Sequence, residues 1–279
     1  MVSFSRIQPS RAVVLLAGLL STATILGILS IVDIGGESVF GLLLSDKHIA
    51  KLYNGIVRDT LLNPWFYLPV LCILLLERIQ PAERAQKPFS PGFMTDFIYY
   101  IIDIAAEVFV MAAWVMATRL VYDHALWFLT VDSIQQWPQW VLILLGYLVI
   151  DLNGWFTHWV RHKVPWFWYF HTVHHSQTQM NMFTDMRYHA LEYVIAHTIT
   201  FIPLFALGIS SPNIVVIGLL KKWYRRFYHA NIRMNLGPLR YILVTPQSHR
   251  IHHSKSREHH DMNFGATLSI WDQLFGTQY

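Results

Sequence analysis

The sequence predicts an all-α integral membrane protein. Its expected parts are about four transmembrane helices, a re-entrant or shallow helical hairpin, and a cytoplasmic helical cap that carries clustered histidines. Three observations predict this. The chain is 54% hydrophobic and 14% charged over 279 residues, against about 25% charged in an ordinary soluble domain. Eleven Trp and thirteen Tyr suit the aromatic belts at the two faces of a bilayer. Three dense histidine stretches, HWVRH, HTVHH and HRIHH, fall in the second half of the chain.

The apolar runs supply the elements in order. Residues 12–32, preceded by Arg6 and Arg11, are about twenty residues long and cover roughly 30 Å of hydrocarbon. They read as an uncleaved first span, because a signal peptide has a shorter apolar region and a small-residue cleavage site. Residues 61–76 contain Pro64 and Pro69 and are marginal in length. Residues 97–122 are long enough to span with tilt. Asp103 and Glu107 sit on one face of that run. A lipid-facing acid costs about 2.5–3.5 kcal/mol, so this face points into the bundle. The pair is either a proton or ion path or, as the better reading, buried acids bracing helices. Residues 140–160 form the fourth span and carry His158 at its end. Residues 191–220, broken by Pro203 and by SSPN at 210–213, form the hairpin. Two regions result: a transmembrane region at 1–150 and a histidine-bearing region at 151–279 that includes the hairpin.

Lysine and arginine set the orientation. Arg6, Arg11, Arg78, Arg84, Lys87, Arg161, Lys163, Arg187 and everything from Lys221 onward share one side; Lys47, Lys51, Arg58 and Arg119 share the other. The histidine stretches are therefore expected at the cytoplasmic face, of a bacterial inner membrane or of the endoplasmic reticulum. The net charge of +4 is spread by topology rather than massed on one polar face, so nucleic acid is not an expected partner. The single cysteine, Cys72, excludes an internal disulfide and reads as a small packed or lipid-facing hydrophobe.

His158 and His162 stack on one helical face, with Asp151 on the same face as a carboxylate able to accept a ring N–H. His171, His174 and His175 offer i, i+3 and i+4 positions on a new turn, after Pro165 has ended the previous helix. His249, His252 and His253 repeat the spacing. Fifteen histidines spread evenly would fall about one every nineteen residues, so eight in three clusters point to metal. Eight imidazoles exceed the needs of one ion and favour two. Imidazole suits zinc, copper, iron and nickel, and the absence of cysteine argues against a thiolate zinc site. The residues leave three classes open: an oxygen-activating lipid enzyme, a membrane metal transporter using Asp103 and Glu107 with the histidines as its loading site, and a zinc-dependent lipid hydrolase.

HWVRH, HTVHHS and HRIHH resemble the three histidine boxes of the fatty acid hydroxylase/sterol desaturase superfamily. The resemblance covers roughly 151–277 and includes MRYHALE, YHAN, TPQSHRIHH and NFGATLSIWDQLFGT. It implies a non-haem di-iron enzyme that hydroxylates or desaturates a membrane lipid such as a sterol, fatty acyl chain or ether lipid. O2 is the implied co-substrate, and a separate reductase or a cytochrome- or ferredoxin-type partner supplies electrons. The implied iron ligands are His158, His162, His171, His174, His175, His249, His252 and His253, with His229 at a further ligand position. His189 matches a recurrent family histidine read as a peripheral ligand or its partner. Trp159 stands where many relatives have arginine, and Arg225 where lipid hydroxylases have another histidine. His259 and His260 are extra to the pattern and read as a solvated loop. The basic run Lys221, Lys222, Arg225 and Arg226 reads as lipid-headgroup contact, with docking of an acidic electron carrier as the alternative.

Overall fold

The computed structural model describes residues 33–34, 37–38, 64–89, 91–106, 112–134, 136–209 and 211–279. The expected first span at 12–32 and Glu107 lie outside these residues. The helices are α1 (Pro64–Ile79), α2 (Pro91–Ala106), α3 (Ala112–Val121), α4 (Gln139–Lys163), α5 (Pro165–His175), α6 (Ala190–Ala206), α7 (Ser211–His229), α8 (Pro246–His252) and α9 (Ile270–Leu274). Among the described residues, extended structure is confined to a two-residue ladder, β1 (Asp33–Ile34) against β2 (Glu37–Ser38), and two isolated bridges, Pro81 with Ile232 and Leu243 with Leu268.

Proline punctuates the fold. α1, α2, α5 and α8 each open on one, where the missing N–H costs no helical hydrogen bond. Between α4 and α5, Val164 is extended, at φ −98° and ψ 114°, the conformation a following proline imposes. α8 carries a capping box: Thr245 Oγ1 accepts from Ser248 N, and Ser248 Oγ accepts from Thr245 N.

Among the described residues only α4 is long and apolar enough to cross a membrane. Its 25 residues rise about 37 Å at roughly 1.5 Å each. α1 and α2 have 16 residues each, fewer than the ~20 that cross a bilayer. The expected span at 97–122 falls on α2 and α3, either side of 107–111, which are not described. The expected hairpin at 191–220 falls on α6 and α7. Asp151, where the histidine-bearing region was set to begin, lies in the middle of α4.

Two apolar clusters hold the helices together. One joins Ile73 of α1 and Tyr99 and Tyr100 of α2 to Val173 of α5 and to Met182, Phe183, Met186 and Ile232. The other joins Tyr122, Leu142 of α4, and Phe201, Leu204 and Phe205 of α6. The buried acids of the N-terminal helices reach across to the histidine region. Glu77 accepts from the backbone N–H of Met182 at 3.0 Å and of Asn231 at 2.8 Å. Asp96 pairs with Arg187 and accepts from Asn181 and Thr184. Asp103 pairs with Lys222 at 2.8 Å, which is the bracing role rather than an ion path.

The basic run on α7 is not the exposed patch expected from the sequence. Lys221 pairs with Asp151, Lys222 with Asp103, and Arg225 with Asp185 at 3.5 Å. Arg226 is buried over the Trp223 ring, 4.5 Å from its centroid. Arg226 is buried and Lys221, Lys222 and Arg225 are half-buried, and cations drawn partly out of water in a mostly apolar chain are stabilised by such partners.

Candidate metal centre

The last two turns of α4 carry His158 and His162, α5 carries His171, His174 and His175, α7 ends on His229, and α8 carries His249 and His252 with His253 as its cap. These helix ends converge, and the nine imidazoles sort into two groups. His158, His162, His171, His175 and His252 form the first; His174, His229, His249 and His253 form the second. Within each group one ring nitrogen from every member lies within 4.8 Å of the others. Each HxxHH helix serves both groups, in opposite senses. α5 sends its i and i+4 histidines to the first group and its i+3 to the second. α8 sends i and i+4 to the second and i+3 to the first.

The rings are oriented from behind. His158 Nδ1 donates to Phe264 O at 3.0 Å and His252 Nδ1 to Met262 O at 2.8 Å. His171 Nδ1 donates to Glu192 Oε1 at 2.9 Å, and Arg161 Nε reaches the same oxygen at 3.1 Å. His229 Nδ1 donates to Arg225 O at 2.8 Å. A carbonyl only accepts, so in these rings the proton sits on Nδ1 and Nε2 presents a lone pair inward. Phe264, fully buried, packs against His158, His162 and His252 with centroids 5.1 to 5.7 Å away. Tyr188 stacks on His174, and Tyr228 meets the edge of His249 at 4.5 Å.

This donor set fits a pair of metal ions. The buried Nε2 atoms of His158 and His171 have no hydrogen-bond partner among the described residues, an arrangement a folded protein rarely tolerates. In the second group, His229 Nε2 lies 2.8 Å from His249 Nε2 and 3.2 Å from His174 Nε2. Lone pairs this close repel, and a cation between them turns repulsion into coordination. Burial, then neighbouring charge, holds His171, His174, His175, His249 and His253 well below the ordinary imidazole pKa of 6.5. They are therefore neutral and ready to bind metal. Neutral nitrogen donors without thiolate suit iron, as they suit zinc or copper.

Two sequence expectations change. Asp151 touches no histidine; it pairs with Lys221 and accepts from Leu268 N at 2.9 Å and Trp271 Nε1 at 3.0 Å. Seven residues of helix separate it from His158 by about 10 Å along the axis, beyond side-chain reach. Glu192 performs the carboxylate role instead. Its sequence signal was a lone acid at the start of a long apolar run. His189 stands outside both groups: its Nδ1 accepts from Leu191 N at 3.3 Å, and its ring lies 4.5 Å from Phe170. It caps α6. His259 and His260 also lie outside both groups, and the His259 ring packs on Tyr279 at 4.6 Å.

Residues 143–277 match the family model described as fatty acid hydroxylase. The ornithine lipid hydroxylase of Rhizobium tropici is 31% identical over 222 residues, 76% of this chain and 66% of that protein. The human alkylglycerol monooxygenase is 36% identical over 133 residues, 47% of this chain and 29% of that protein. Its Xenopus tropicalis counterpart is 30% identical over 142 residues, half of this chain and 30% of that protein. The matches thus span just under two thirds of the first relative's length and less than a third of the other two. No solved structure matches.

Proposed function

Because the chain belongs to the fatty acid hydroxylase family, we propose that it is an O2-dependent membrane oxygenase that hydroxylates a lipid. One observation supports this most: nine imidazoles, most of them buried, divided into a five-donor and a four-donor group. The first group would hold one iron through His158, His162, His171, His175 and His252. The second would hold another through His174, His229, His249 and His253. Iron bound there supplies oxygen activation and hydrogen abstraction from an unactivated C–H bond. The chain's own residues orient and exclude. Glu192 and the carbonyls of Arg225, Met262 and Phe264 fix the rings, and Phe264, Trp168 and Tyr228 shield the centre from water and side reactions.

The relatives act on ornithine lipid and on alkylglycerol by name, which supports a glycerol- or amino-acid-headed membrane lipid as substrate class. Electrons come from a separate donor, and the histidine centre faces the cytoplasm. Of the two acids a transporter reading relies on, Asp103 is engaged by Lys222.

The test compares lipid extracts from cells with and without the protein, alongside metal analysis of the purified chain. About two irons per chain and a lipid heavier by one oxygen are expected. One zinc and lipid fragments would instead assign a hydrolase. A cysteine placed at Ser254 should label only from the cytoplasmic side; labelling from the opposite side overturns the orientation.

A further inference from the structure

The stretch NFGATLSIWD, part of the family resemblance, has no histidine, yet it lies behind the first imidazole group. Residues 261–264 meet three of that group's five rings. Met262 O accepts from His252 Nδ1 and Phe264 O from His158 Nδ1, at 2.8 and 3.0 Å. Asp261 Oδ1 lies 3.5 Å from His162 Nδ1. Among the described residues the second group has no contact of this kind; its one backbone-held ring there, His229, is held within its own helix.

The stretch has an unusual backbone. Asp261 and Asn263 are both left-handed, at φ 63° and 58°, a conformation that non-glycine residues rarely adopt outside functional turns. Alternation of left-handed residues aims the Met262 and Phe264 carbonyls at the two histidines. Asn263 fastens the turn on three sides. Its side-chain amide donates to Ser248 O on α8 at 2.9 Å, its Oδ1 accepts from Tyr279 N at 2.9 Å, and its own N–H donates to Thr277 O at 2.7 Å. Asp272 of α9 holds the other end by accepting from Phe264 N and Gly265 N, each at 2.8 Å, and from Trp155 Nε1 of α4 at 3.0 Å.

We propose that Asn263 is a positioning residue for one of the two metals: with Asp272 it locks the 261–264 turn, whose Met262 and Phe264 carbonyls hold His252 and His158 as Nδ1–H tautomers facing the first site. The inference rests on the metal reading above. It explains why a histidine-free motif accompanies the boxes, and why disturbing it acts on one site only. Asn263→Gly keeps the left-handed backbone accessible and removes the side-chain anchors. Asn263→Ala also penalises the backbone, so its effect is larger.

The probe is Co2+ alone, titrated against a competing chelator into the full chain in detergent and read by ligand-field absorption. Wild type should take up two ions. In Asn263→Gly the binding class that His158→Ala removes should weaken about 10–100-fold, the usual effect of losing an outer hydrogen-bond partner. The other class and the helical circular dichroism should hold. Asp272→Asn should weaken the same class, and it serves as the test should Asn263→Gly fail to fold. Equal weakening of both classes, or of neither, overturns the proposal while leaving the metal reading intact. A folded wild type that takes up no Co2+ overturns the metal reading and this proposal with it.

Discussion

His171 is held by a carboxylate 21 residues further along the chain. That separation explains why the sequence was only partly readable at the residue scale. The ligands announce themselves through spacing within one helix; the groups behind them come from other elements. Asp151 was chosen because it shares a helical face with His158, but its partners are Lys221, Leu268 and Trp271. Replacing Glu192 by Ala should lower metal affinity about 10–100-fold and leave Arg161 without its partner; unchanged metal content at limiting metal would dismiss the carboxylate's role. His189→Ala removes a helix cap, not a donor. It should cost about 1 kcal/mol of stability or less and leave two metals bound, as should the double change at His259 and His260. Metal analysis with a melting curve decides both cases.

At the scale of elements, α4, α5 and α8 were legible because histidine spacing marks their content, and Pro165 marks the boundary between α4 and α5. The approach of 264–266 to α4 was not legible, because it depends on a glycine whose partner is more than a hundred residues away. A Cβ on Gly154 would lie 2.7 Å from Ala266 Cβ, closer than packing permits. Gly154→Ala should push the turn away, lengthen the His158 to Phe264 bond and destabilise the fold by about 1–3 kcal/mol. A variant that melts and binds metal like wild type would show that the turn yields without consequence.

Across the whole molecule, polarity runs inward. Asp96, Asp151, Arg226 and most of the ligand histidines are buried, while Leu71, Leu75 and Ile79 of α1 and Ile98, Ile101 and Ile102 of α2 face outward. Such a chain is suited to a lipid exterior, as its composition indicated. Its polar interior also fixes its response to acid. Burial makes His171, His174, His175, His229, His249 and His253 resist protonation, whereas in the unfolded chain they take up protons below about 6.5. Below that pH the unfolded state binds more protons than the folded one, so stability is full above it and declines as the pH falls. Metal retention should decline in the same window, because ligation needs neutral rings. Dialysis over a pH series with metal analysis tests this. Retention that stays flat down to pH values near 4.5 would mean that imidazole does not hold the metal.

The opposed use of α5 and α8 has a consequence for how the site can be altered. One ion needs only an i, i+4 pair from a helix. On the proposed two-metal reading, the third histidine of each box lets that turn of helix address both ions. No residue is shared between the groups, yet two helices are. The centre is thus divisible by substitution but not by deletion. Exchanging His174, His229, His249 and His253 for other residues would leave five donors for a single ion, while removing or shifting either helix by one residue would dismantle both sites at once.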